Sequence, residues 1–246
     1  MNETKESSSD PSNSHKDSLD DFTAFPLTAL DRTILATPPA LFLPHTWPEI
    51  RFLVAQNRLE DFKRAPSELR RYLRWSESIK ARYGSVTDYV VRERLHWTPL
   101  PSRDTDTDGA EVETDDREAV SVHRPPRFAY ENATLFADER DYRVLRNDWP
   151  YALEDGVEHL VVWLKTPVAV NEETGDVTEE ARRTIDAFVK VKFRARLDAV
   201  YGAGEGEARV VWFKNWVALQ SVRGVDHVHV LVRGVPEEVL REWTGE

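Results

Sequence analysis

The apolar residues of this chain change period partway along, and that change bounds the folds open to it. Up to about residue 100 they recur at helical spacing, and after residue 126 they gather into strand-length runs around one long helix. The clearest run is Glu158-His159-Leu160-Val161-Val162-Trp163-Leu164-Lys165, bounded by Gly156 and Pro167, which reads as a strand. Tyr142 to Leu145, Ala208 to Phe213 and His227 to Val232 read as three more. Thr178 caps a helix in which Ala181, Ile185, Phe188, Val189, Val191, Phe193 and Leu197 recur at roughly helical spacing as far as Gly202. Pro236 opens a short closing helix through Leu240 and Trp243. This order predicts an α+β half: a small antiparallel sheet with a long helix packed on it.

The first hundred residues predict a helical unit. Leu27 to Ala36 forms a short helix, and Thr46-Trp47-Pro48-Glu49 is a capping box that starts a second, running to about Lys63. Ser67 caps a third helix through Leu69, Leu73, Trp75 and Ile79 to Tyr83, where Gly84 stops it. Ser85-Val86-Thr87-Asp88 caps a fourth, Tyr89 to Leu95. Residues 101–126 hold an acidic, Thr/Asp-rich run too polar to pack, a loop or linker ending in Arg124-Pro125-Pro126. The expected organisation is a disordered tail at 1–21, the helical unit at 22–100, the acidic loop at 101–126 and the α+β half at 127–246, with 22–246 able to form one domain. The fold class is α+β.

Composition narrows the function. With no cysteine, disulfides, thiolate chemistry and Cys-ligated zinc are excluded. No apolar run approaches 18 residues, and Met1 to Asp21 lacks the apolar core of a secretory signal. These features fit the cytoplasm or nucleus. A net charge of −11 disfavours nucleic acid and membrane surfaces as partners. Much of that acid sits in the tail and in Asp104 to Glu118, which leaves room for a local basic pocket.

His227 and His229 stand two apart on a strand, so their imidazoles share a face. Such a pair serves as a phosphate-handling couple, as a metal edge, or as ordinary structure with one ring on a backbone carbonyl. A metal needs a third ligand, for which His159 and then Asp226 are the candidates; the sequence calls for no cofactor. Asn215, Gln220 and Ser221 lead into the histidines. Asn147 and Asp148, in Asn147-Asp148-Trp149-Pro150, either build a turn or hold a pair of sugar hydroxyls. Lys165, Lys214, Arg223 and Arg233 stand near strand ends or the histidines, where a cation either meets phosphate or faces water. Trp149, Trp163, Trp212 and Trp216 either stack a ring or fill the core. There is no Gly-rich phosphate loop, G-x-S-x-G or H-E-x-x-H.

Two resemblances add to this reading. Phe25-Pro26-Leu27, His45-Thr46-Trp47, Pro66-Ser67 with Leu69 to Tyr72, Tyr83-Gly84-Ser85, Asn147 to Tyr151, His159 to Pro167 and Trp212 to Val232 resemble the fungal N-acetylglucosamine-induced protein family. That resemblance implies a fungal, intracellular protein linked by name to an amino-sugar response, with no established reaction. The C-terminal half is similar in order to the histidine-triad nucleotide hydrolases and transferases, through Pro150, Gly156, His159, Leu160 to Lys165, Asn215, Gln220-Ser221, His227 and His229. That second resemblance implies His229 as nucleophile on a phosphate, with His227, Asn215, Gln220 and Ser221 as contacts. The chain departs from the triad at Leu231, which stands at the third histidine position, and in the spacing from Gln220 to His227.

Two expectations follow. One is a protein that binds or processes a phosphorylated sugar or nucleotide in a histidine-lined cleft through His227, His229, Asn147, Asp148, His159, Lys165, Lys214, Asn215, Gln220 and Ser221. The other is a non-catalytic regulatory or adaptor protein whose partner is another protein.

Overall fold

The computed structural model describes residues 27–101 and 126–246. The expected tail at 1–21 and the acidic run 104–118 lie outside the described residues. Helix α1 (Ala29–Ala36) begins at Thr28, whose hydroxyl accepts the Asp31 N–H while the Asp31 carboxylate accepts the Thr28 N–H. Helix α2 (Trp47–Ala55) is capped by the Thr46 hydroxyl, which accepts the Glu49 N–H. The expected capping box is only half made there, because the Glu49 carboxylate turns to His45 Nδ1 at 2.8 Å. The helix also stops at Ala55 rather than near Lys63, and a single tight turn follows at Leu59–Asp61.

Helix α3 (Pro66–Tyr83) starts with Pro66 in the first helical position, so Ser67 lies inside it rather than capping it. Proline suits that place because its missing N–H would have no intrahelical partner. Gly84 closes the helix at φ +86°, a left-handed backbone that favours glycine. Ser85 then caps α4 (Val86–Tyr89), which widens over Val90–Leu95 into i→i+5 turns.

The second half holds strands β1 (Tyr142–Arg146), β2 (Val157–Leu164), β3 (Val210–Phe213) and β4 (Asp226–Arg233), all antiparallel in the order β1-β2-β4-β3. Thr178 caps α5 (Glu179–Val189), which passes through a wide turn at Lys190–Arg194 into α6 (Ala195–Tyr201). The chain expected to be extended from Ala208 is helical as far as Arg209, in α7 (Glu205–Arg209). Gly206 is required in that helix, since a Cβ there would lie 2.1 Å from the Arg194 carbonyl oxygen. Helix α8 (Glu237–Thr244) closes the described chain.

The β2–β4 register assigns the two faces of the sheet. Leu160 pairs with Val230 and Val162 with Val228; these face α5, α6 and α8 through Ile185, Val189, Phe193, Leu240 and Trp243. His159 pairs with Leu231, Val161 with His229 and Trp163 with His227, which places all three histidines on the opposite face. That face packs against Ile79, Val86, Val90, Val91 and Leu95 from the helical half, and at the Leu231 end against Trp47, Ile50 and Leu53 of α2. Full burial of each such side chain contributes about 1.5–3 kcal/mol, so this contact joins the two halves into one three-layer body. Among the described residues, no helix is long and apolar enough to cross a membrane.

Candidate functional site

The histidines form a hydrogen-bonded line on the covered face of the sheet. His159 Nε2 lies 2.9 Å from His229 Nδ1, and His229 Nε2 lies 3.3 Å from the Asn215 amide nitrogen. His227 stands apart from this line, its Nδ1 2.8 Å from the Val225 carbonyl oxygen and its ring against Trp163. Burial pushes His159 down to about 3 and His227 to about 4, and carries His229 well below its ordinary value; a second cause for His229 is the neighbouring His159. All three are therefore neutral near pH 7.

Beside this line is a cavity of about 190 Å³ between the sheet and the helical layer, into which His227, His229 and Asn215 open. Its other walls include Tyr72, Trp75, Trp149 and Tyr151, and its charged groups are Asp31, Arg64, Arg94, Arg146 and Asp148. Most of those charges are committed. Arg94 pairs with Asp148 at 2.9 Å and with Glu246 at 3.0 Å, and Arg146 pairs with Glu237 at 2.7 Å. Burial raises the Asp148 carboxyl, against the pull of Arg94. Asp31 caps α1.

Arg64 differs from these. Its guanidinium lies 4.5 Å from the Tyr72 ring centre and 5.6 Å from that of Tyr151, and its Nε donates to the Trp149 carbonyl. Among the described residues it has no carboxylate at ion-pair distance. A half-buried cation on two aromatic faces, without a counter-charge, is a ready partner for an anion.

The structure distributes the expected site residues unevenly. His227, His229, Asn147, Asp148, Asn215 and Ser221 line the cavity. His159 lies behind it: its Nε2, wanted for a metal, goes to His229, and Asn147 and Tyr151 contact its other edge. Among the described residues, no group of three or more His, Asp or Glu side chains converges as a metal cage. Gln220 supports the site from outside, its amide donating to the Asn215 main-chain carbonyl at 2.8 Å. Neither lysine reaches the cavity. Lys214 is buried in an ion pair with Asp226 at 3.0 Å, and Lys165 lies over the Trp97 ring in a separate hollow.

The reading of the residues placed the site wholly in the C-terminal half, and it missed Arg64, Trp75 and Arg94. One signal pointed to them: Tyr72 lies in the Pro66 to Tyr72 motif, and Arg64 stands two residues before that motif begins.

Comparison with known proteins bears on the whole of this body. Residues 46–233 match the model of a family described as protein of unknown function, DUF3605. N-acetylglucosamine-induced protein 1 of Candida albicans is 30% identical over 201 residues, 81% of this chain and 72% of the relative. An uncharacterised protein of Saccharomyces cerevisiae is 36% identical over 107 residues, 44% of this chain and 51% of the relative. A crystal structure of HTC1 superposes with a TM-score of 0.50 at 26% identity, covering 80% of this chain and 87% of that one.

Proposed function

This chain belongs to the DUF3605 family, and on that premise we propose that it binds a small ligand carrying one anionic group beside a ring, a phosphorylated sugar or a nucleotide. The ligand occupies the cavity between the helical layer and the sheet. The observation that carries this reading is Arg64, held on the Tyr72 and Tyr151 rings without a carboxylate partner among the described residues, on the wall of a cavity that also contains Trp75 and Trp149. A guanidinium meets phosphate through paired N–H donors, and indole rings cover the face of a sugar or base. The neutral imidazoles of His227 and His229 on the cavity wall act as hydrogen-bonding groups. Nucleotidyl transfer through His229 is left outside this reading, because both of its ring nitrogens already face buried polar side chains. The Candida albicans relative is named for induction by an amino sugar, which agrees with a sugar-derived ligand.

The test is thermal melting with hexose phosphates, amino-sugar phosphates, nucleoside monophosphates and their dephosphorylated forms, on wild type and Arg64→Gln. A ligand at about a hundred times its dissociation constant stabilises the wild type by about 2.7 kcal/mol. The expected result is stabilisation by a phosphorylated compound, lost on dephosphorylation and in Arg64→Gln. Equal shifts in both proteins would overturn the role of Arg64.

A second reading, a non-catalytic adaptor, draws on the helical half. Leu41 and Leu43 are 72% and 74% exposed, and Phe52 of α2 is 53% exposed. Large apolar groups at that exposure suit a protein partner. No melting shift with any compound would favour this reading.

A further inference from the structure

We infer that a directional chain of hydrogen bonds fixes the histidine tautomers, so that the cavity offers its ligand a hydrogen-bond acceptor at His227 Nε2. This rests on the cavity being a ligand site and adds which atoms of the ligand it selects.

The chain starts at a group that cannot reverse. The Tyr151 main-chain N–H lies 3.4 Å from His159 Nδ1, and a peptide N–H only donates. His159 Nδ1 therefore accepts, and the proton of the neutral ring sits on Nε2. Asn147 touches both nitrogens of this ring and does not decide between them. Its Oδ1 accepts the Trp149 N–H at 2.9 Å, which fixes the amide and leaves Nδ2 at 3.3 Å from His159 Nδ1 and 3.2 Å from Nε2. His159 Nε2–H then donates to His229 Nδ1 across 2.9 Å. A neutral His229 that accepts at Nδ1 must carry its own proton on Nε2.

That proton meets the Asn215 amide at 3.3 Å. An amide nitrogen there would set two donors against each other, and would leave the buried Asn215 Oδ1 with no protein partner. Rotating the amide by half a turn removes the clash between the two donors. Oδ1 then accepts from His229 Nε2–H and lies 3.3 Å from the Tyr151 hydroxyl, in the position of the nitrogen. Nδ2 moves to the buried position without a protein partner, so one amide group of Asn215 stays unpaired in either orientation.

His227 resolves the other way. Its Nδ1 faces the Val225 carbonyl, which only accepts, so Nδ1 carries the proton and Nε2 keeps its lone pair. The cavity thus presents one free acceptor, on the ring of His227 in β4. A hydroxyl satisfies it, so the group selected beside the anion is a hydroxylated ring that donates a hydroxyl proton to His227 Nε2.

The experiment is a long-range ¹H–¹⁵N correlation of the histidine rings in ligand-free, ¹⁵N-labelled wild-type protein at pH 7, which separates the two neutral tautomers. The expected result is Nε2–H for His159 and His229, and Nδ1–H for His227. An Nδ1–H tautomer at His229, or a protonated imidazolium there, would overturn the inference. The measurement needs no ligand, so it stands apart from the success or failure of the melting panel.

Discussion

The neutral state of the buried histidines carries a stability consequence whose sign is fixed. Burial lowers their folded-state values below the ordinary 6.5, to about 4 for His227 and about 3 for His159. Between pH 6.5 and those values, the unfolded chain binds protons that the folded chain refuses. Their contribution is therefore fully present above pH 6.5 and is lost as the pH falls, by at most ~1.4 kcal/mol per pH unit for each histidine. Urea unfolding at pH 7 and about pH 5 should show a clear fall in stability, and His227→Gln should flatten the slope by about one proton. A wild-type free energy that stays level over this range would contradict the burial. At this scale the shared face of His227 and His229 was legible from strand alternation alone. The His159–His229 contact was not, because it depends on the pairing of strands 70 residues apart. Arg64 was missed for a similar reason, since it meets Tyr151 only once the helical half folds over the sheet.

At the scale of elements, local chemistry places several helix starts, but it missed the true cap of α3 and the early end of α2, and it gives no sign of internal irregularities. Thr28, Thr46, Ser85 and Thr178 each cap a helix with their hydroxyls, and Gly84 stops one. The wide turn at Lys190–Arg194 has no residue of its own that signals it. It accompanies the close seat of α7, where Gly206 meets the Arg194 main chain and donates to Asp198 at 2.8 Å. Gly206→Ala forces that seat apart and should cost about 1–3 kcal/mol, read as a lowered melting temperature. An unchanged melting temperature would show that α7 does not lie on Arg194. The same crowding explains why Ala208 and Arg209, extended by sequence pattern, are helical.

Over the whole molecule, the α+β class and the antiparallel sheet were legible because short apolar runs bounded by turn residues stand apart from the helical spacing that follows Thr178. The sequence left open whether its two halves pack on each other. The acidic run divides the chain, but the histidine face of the sheet takes much of its cover from the helical half. The site is a product of that packing: Arg64, Tyr72 and Trp75 come from one half, and Asn215, His227 and His229 from the other. The measurement that tests this most directly follows the tryptophan indole and arginine side-chain N–H signals by NMR, while a hexose phosphate or a nucleoside monophosphate is added. The account predicts that Arg64, Trp75 and Trp149 shift together, while Trp243, packed on the opposite face of the sheet against Phe193, stays still. Shifts that spare Arg64 and both cavity tryptophans, or no shift with either compound, would contradict it.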